Sequence, residues 1–454
     1  MTILLAACSS SDGTPVADGG GSDSDGTQST CAAPTGGPTM HQGHITADET
    51  WTAATGPHIV TFSFGVQKGA TLTIEPCSEV RLAADHGIDV AGPNTPDTGT
   101  LVAEGTADRP IRFVADQPGK PWAGLLVRQG GSARLAYVTL EGGGSDAARN
   151  GAALAILGDQ SQPAPQELVH VDHVTISGAD THGVSIEGHG AFTADSKELV
   201  ISGAGSYPVR AWPNGLGTLP SGSYTGNAVD EILMPGGGGA ENIAVDMTLH
   251  DRGVPYRVGL VTSNAPELRV SAAPATTVAT LTIEAGVHIR FGKGGMFAIE
   301  FATGTNPATG AVVAEGTASA PIVFTSAERT PAAGDWVGLR FGLKPDARNK
   351  LDHVRVEYAG GQTGIDNFSC DNPARPSSSA GRNEAAILIL GEPAGAFVTN
   401  STIADSAGDG IERGWSGPPI DFLATNTFQN VAYCKQSYPL PQSGACPSPV
   451  PCER

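Results

Sequence analysis

Short apolar runs separated by turn residues fill most of the chain. Leu72-Thr73-Ile74, Val80-Arg81-Leu82, Ile88-Asp89-Val90, Leu101-Val102, Ile111-Arg112-Phe113 and Leu125-Leu126-Val127 follow one another, with Gly, Pro, Asn or Asp between them. Within the runs apolar positions alternate with polar ones, the period of a half-buried strand. No segment sustains a helical period. The pattern predicts an all-β chain of many short strands. A sandwich, a propeller and a solenoid would all share it. A solenoid fits best, because the runs continue without hairpin signals such as Asn-Gly between alternating hydrophobics.

The pattern also repeats. Thr71-Leu72-Thr73-Ile74-Glu75 returns as Thr280-Leu281-Thr282-Ile283-Glu284, and Val102-Ala103-Glu104-Gly105-Thr106 as Val313-Ala314-Glu315-Gly316-Thr317. Trp122 answers to Trp336, the run Leu135 to Glu141 to Leu351 to Glu357, and the run Ala152 to Gly158 to Ala385 to Gly391. The offset grows from 209 (Leu72 to Leu281) to 231 (Tyr207 to Tyr438), so the second copy carries insertions. Two tandem halves are expected, at 41–223 and 243–440. A Gly-rich joint at 224–242 separates them, and a Pro- and Cys-rich tail at 441–454 caps the far end.

The repeated motif, TLTIE followed by Pro-Cys or Ala-Gly, then VAEGT, a Pro-Ile pair, Trp-x-Gly-Leu and a Val-x-x-Glu run, resembles the right-handed parallel β-helix proteins of bacterial surfaces, which are broadly pectin-lyase-like. The resemblance covers about Thr50 to Ala432. It implies a right-handed parallel β-helix, internally duplicated. It says little of activity, because that fold hosts lyases, hydrolases, epimerases, adhesins and tailspikes. It also implies structural work for Gly69, Gly105, Pro110 and Trp122: turn glycines, a strand-end proline and a stacking aromatic.

Composition sharpens this picture. Gly 61 and Pro 33 fit many turns, and 39% hydrophobic residues supply a real core. A net charge of −20 argues against nucleic acid and anionic lipid as partners. Leu5-Ala6-Ala7-Cys8 resembles a bacterial lipobox, in which Cys8 would be lipid-modified and residues 1–7 would be the stub of a signal peptide. No Lys or Arg precedes Lys68, so the basic region of such a signal is missing, and the true start is expected upstream. Residues 8–40 begin with a Ser/Gly/Asp-rich stretch that reads as a flexible tether. Ser9 fits outer-membrane sorting, so an exported outer-membrane or cell-surface location is expected. Apart from Cys8, six cysteines remain: Cys31, Cys77, Cys370, Cys434, Cys446 and Cys452. An even number in an exported chain predicts disulfides. Cys77 stands where the second copy has Gly286, which suggests Cys31–Cys77; Cys370–Cys434 and Cys446–Cys452 complete the expected set.

The densest group of chemical side chains runs from His170 to Gly190 and holds His170, His173, His182, His189, Asp172, Asp180 and Glu187. On a strand that buries Val174 and Ile176, His173 and Thr175 face outward. The stretch around His182 loosely resembles polygalacturonase-like hydrolases, which implies His182, Asp180 and Glu187 as candidate catalytic groups. Other landmarks of that group (Asn-Thr-Asp, Asp-Asp, Arg-Ile-Lys) are missing, and the second copy has Asp409 at His182 and Gly414 at Glu187. The plainer reading is a set of outward polar residues around a turn. Lyase chemistry would need Arg or Lys near a clamped cation, and Arg109, Arg112, Arg128 and Arg134 fall on separate turns. No metal site is indicated: Asp23-Ser24-Asp25-Gly26 is an incomplete calcium loop, and His41 with His44 is a weak pair. Glu141 and Glu357 recur and are expected to line the same face of each half. Trp212 and Trp415, which do not match each other, are candidate glycan-stacking platforms. The resulting expectation is a lipid-anchored, non-catalytic surface β-helix without cofactor, whose acidic face meets glycan, matrix or surface protein. The alternative is a polysaccharide hydrolase or lyase acting through the His182 region.

Overall fold

The computed structural model describes residues 30–454 apart from 94–96, 163, 237–241, 273–276, 301–308, 364–368, 371–383 and 443–444. Cys8 and the sequence that follows it to residue 29 lie outside the described residues, as does the partial calcium-loop sequence.

Each turn of the coil carries three strands. The turn that begins at Thr71 has Thr71–Ile74 on a first face, Glu79–Leu82 on a second and Gly87–Val90 on a third. The next turn repeats them as Gly99–Glu104, Ile111–Ala115 and Gly124–Arg128. Each strand pairs in parallel with its counterpart one turn on: Thr71 with Thr100, Glu79 with Arg112, Gly87 with Gly124. The fold is a parallel β-helix. Alternation does the sorting: Leu72, Ile74, Val80, Leu82, Ile88 and Val90 point into the coil and are buried, stacked against Leu101, Ala103, Phe113, Leu125 and Val127 from the next turn. Each such Leu, Ile, Val or Phe side chain stabilises by roughly 1.5–3 kcal/mol.

Two long strands, Gly131–Glu141 and Gln166–Ser177, turn the corner between the first and second faces without a break in assignment. The corner residues Tyr137 and His173 take left-handed backbone angles (φ 49° and 55°). Their rings stack 4.5 Å apart across the turns. Asp172 accepts a hydrogen bond from His173 and pairs with Lys197. The outward faces of the coil carry similar self-paired charges, such as Glu104 with Arg134 and, at the equivalent place in the second copy, Glu315 with Lys350. Exposed pairs of this kind stabilise by about 0–1 kcal/mol each.

The two sets of repeated motifs, called first and second copy below, sit on the same coil one face out of phase. The 13-stranded sheet runs unbroken from Phe64–Val66 to Thr427–Gln429. In the first copy it holds the third-face strands Gly87–Val90, Gly124–Arg128 and Ala152–Leu157. In the second copy it holds His288–Phe291, Ile322–Ser326 and Val354–Glu357, whose sequence counterparts in the first copy lie on the second face. The counterparts of its first-copy strands form a separate six-stranded sheet that contains Met296–Ile299, Gly338–Phe341 and Ala385–Ile389. The slip begins just ahead of the expected joint, where the 3-10 turn Pro213–Thr218 replaces a first-face strand. Asn214 of that turn donates to the Asn242 carbonyl (3.0 Å) and accepts from the Ala244 amide (3.1 Å), seating the new sheet. Glu141 and Glu357, expected on one face, therefore lie in different sheets.

All six cysteines after Cys8 are paired. Cys31–Cys77 forms as expected. Cys77 holds a left-handed backbone (φ 71°), as Gly286 does in the second copy (φ 88°), so a cysteine occupies a glycine position to make this bond. The other two pairings differ from expectation: the bonds are Cys370–Cys446 and Cys434–Cys452. Cys370 lies against the tail, its amide bonded to the Tyr438 carbonyl (2.8 Å). Cys434 is instead drawn to the end of the coil, where Asp409 accepts its amide (2.9 Å). The stretch between Cys446 and Cys452 holds Pro447, Pro449 and Pro451 and bends at Ser448 and Pro449.

Candidate functional site

His182 opens the strand His182–Glu187 on the third face. It shares the parity of Val184 and Ile186 and is buried with them. Its Nδ1 is shut away from solvent with no hydrogen-bond partner. Burial, with the Arg210 guanidinium as a second cause, lowers its pKa to about 4; the Tyr207 backbone carbonyl pulls the other way. Tyr207 packs on the ring at 5.9 Å. His182 is thus a neutral ring whose free nitrogen faces no opening.

Glu187 ends the same strand and pairs with Arg210 of the neighbouring strand Val209–Ala211. Asp180 lies in a bend before the strand and is exposed, its amide bonded to the Gly143 carbonyl (2.8 Å). Seven residues of near-extended chain put Asp180 and Glu187 about 20 Å apart. Paired carboxylates of glycoside hydrolases stand roughly 5–10 Å apart. The structure therefore brings His182, Glu187 and Arg210 to one side of the coil and leaves Asp180 out. Changing Asp180 to Asn should move the unfolding free energy by no more than about 0.5 kcal/mol, since an exposed carboxylate with no partner to lose is replaced; a urea titration of the two proteins checks this, and a larger loss would give Asp180 a structural bond not visible here.

Arg210 opens a column that sequence reasoning missed. In register across the 13-stranded sheet it is followed by Leu233, Arg257 and Arg290. Glu231, 7% exposed, answers both Arg257 (3.6 Å) and Arg290 (2.7 Å). Arg257, itself buried, also donates to the Gly259 and Ala327 carbonyls. A second cluster on the same face joins Asp89 to Arg128 and Arg149, and Arg149 to Asp146. The strands Val209–Ala211, Ile232–Met234 and Tyr256–Val258 are three residues each, too short to show a period, so nothing in the sequence aligned these arginines.

The remaining candidates also resolve. Trp415 is buried, its Nε1 donating to the Pro418 carbonyl (3.1 Å), so it packs the end of the coil and offers no platform. Trp212 is half-buried and meets His189 edge-on at 5.7 Å. His41 and His44 do not converge: His41 shares a hydrogen bond with His58 (2.9 Å), and His44 Nδ1 accepts from the Gly65 amide (2.9 Å). Among the described residues no three His, Cys, Asp or Glu side chains are grouped to hold a metal ion.

No curated protein and no solved structure matches the chain. Residues 263–344 match the family model of the pectate-lyase like beta helix domain, so the coil that the strand pairing shows also carries that domain's sequence pattern across the first turns of its second copy.

Proposed function

We propose that the protein is a lipid-anchored β-helix of the bacterial cell surface that makes contacts and does no chemistry. Its coil would present acidic, hydroxyl-bearing faces to glycan, matrix or a surface protein. One observation carries this reading. The groups with catalytic potential are engaged in holding the coil: His182 is neutral and enclosed, Glu187 neutralises Arg210, and Asp172 fixes the corner histidine. Three disulfides support an oxidising, exported setting. The lipobox-like Leu5 to Cys8 supports the anchor, which would be the only link to a membrane. No cofactor is required by this reading.

A second reading, a polysaccharide hydrolase or lyase, draws on the position of Arg210 beside both His182 and Glu187. One experiment separates the two. The full chain carrying Cys8→Ala, which prevents acylation, is incubated with neutral and acidic polysaccharides. Retention on the polymers and new reducing ends are both measured. We expect retention without new ends. New ends that disappear in His182→Ala would replace our reading with the enzymatic one.

A further inference from the structure

An N-terminal strap crosses the start of the second face and leaves a cleft of about 410 Å³ beneath it. The Cys31–Cys77 disulfide, Pro34, Pro57 and Pro110 line it, and so do Glu79, Arg81 and Arg112. The strap is pinned along its length. The Thr30 amide donates to the Asp108 carbonyl (2.8 Å), the Gly36 amide to the Ala54 carbonyl (2.8 Å) and the Thr39 hydroxyl to the Thr55 carbonyl (2.7 Å). A cleft so held needs little ordering when something enters it. Its volume lies within the roughly 300–1,000 Å³ of small-ligand sites.

The charges are oriented and balanced. One oxygen of Glu79 accepts Arg81 Nε (2.7 Å) and the other accepts Arg112 Nη1 (3.1 Å). Arg112 Nη2 reaches on to Glu141 (3.2 Å). The cleft itself is lined by two guanidinium groups and one carboxylate; Glu141, just outside it, accepts Arg112 and brings the cluster to zero, while the whole chain carries −20. A polyanion gains no net attraction here and meets the field of the whole molecule. A neutral ligand rich in hydroxyls finds fixed donors and acceptors on one wall. On the other walls it finds apolar proline rings and the disulfide, against which C–H faces can lie.

We propose that this cleft is a binding subsite for a neutral sugar unit. The proposal rests on the glycan-contact reading above and gives it a place and a selectivity. The test uses isothermal titration of the full chain carrying Cys8→Ala with neutral disaccharides of gluco, galacto and manno configuration, and with the matching uronic disaccharides, at low and high salt. At least one neutral disaccharide should bind more tightly than its uronic counterpart, with little salt dependence. The double variant Arg81→Gln, Arg112→Gln should weaken it at least tenfold, and Glu79→Gln should shift preference toward the uronic form. The two arginine side chains are about half exposed and Glu79 is half-buried, and an unchanged melting temperature would show that the variants are folded. Tighter binding of the uronic sugars by the unaltered cleft would overturn the proposal. So would unchanged affinity in the double variant, although glycan contact would then stand with its site elsewhere. Failure to bind any of the disaccharides, together with no retention on polysaccharides, would remove both the cleft proposal and the glycan part of the function.

Discussion

Replacing Trp336 by alanine should lower the unfolding free energy by about 3–5 kcal/mol. The ring is fully buried, lies flat on Phe291 at 4.4 Å, and donates from Nε1 to the Glu357 carbonyl (2.8 Å). The loss has three parts: the transfer of a large apolar ring, the cavity it leaves between turns, and an orphaned carbonyl worth about 1 kcal/mol. Trp122 occupies the equivalent place in the first copy and donates to the Glu141 carbonyl (2.8 Å). There the backbone has closed in so far that a Cβ on Gly143 would stand 3.0 Å from the indole, so Trp122→Ala should cost about as much. Urea unfolding followed by circular dichroism gives both values. A loss below about 1.5 kcal/mol at either site would mean that the neighbouring turns collapse into the space, contrary to the rigid stacking described.

Acid should weaken the start of the coil first. His41 stacks on Trp51 at 3.8 Å and shares its Nε2 hydrogen bond with His58, so both rings are comfortable only when neutral. Burial first and the neighbouring His58 second lower the His41 pKa from its ordinary 6.5 to about 4, while Glu49 opposes the shift. Burial also lowers His58, against the Thr52 carbonyl and Glu49. In the unfolded chain both histidines take up protons near pH 6.5; in the folded chain they resist. Their stabilising effect is therefore complete above pH 6.5 and is lost as pH falls toward 4, to the extent of roughly 3 kcal/mol for His41 alone. His182 adds a loss of the same sign over the same window. Glu300 works the other way: burial pushes its pKa from 4.5 up to about 7, so its stabilising effect is present in acid and fades as pH rises through that interval. Three histidines outweigh one glutamate, and stability should decline on acidification from pH 6.5. Urea midpoints at half-unit steps from pH 4 to 8 would show the decline, and His41→Gln should flatten it by about one proton's slope. An unchanged profile in that variant would mean that His41 is protonated in the fold at no cost.

The coil was legible because its rule is local. An apolar residue at every second position, broken by Gly or Pro, forces short strands whatever the register between turns, and Leu72, Val80 and Ile88 are buried as that rule requires. Cys31–Cys77 was legible for a related reason: a cysteine at a position that otherwise takes glycine needs an explanation in the folded state. The tail disulfides were not, because their pairing depends on where an insertion and a Pro-rich tail cross in space. His182 carries a signal that reading for chemistry overlooked, since its parity with Val184 and Ile186 already placed it inside. The arginine column and the slipped register lay beyond reach. The column lies on strands of three or four residues, too short to show a period, and the slip turns on tertiary contacts such as those of Asn214 with Asn242 and Ala244, which no pattern along the chain announces.

The slip has a consequence for whatever meets this molecule. A rod with its repeats in line offers a long polymer one track, on which each copy adds grip to the last. Here the repeated surface turns away between the two copies, and a partner lying straight along one side reads the motif once and then a different text. Two identical contacts can be filled together only by separate partners or by one that winds around the rod. On the surface-contact reading proposed above, the two sets of repeats would act as two jaws aimed apart, a geometry for tying neighbours together rather than for holding one more firmly.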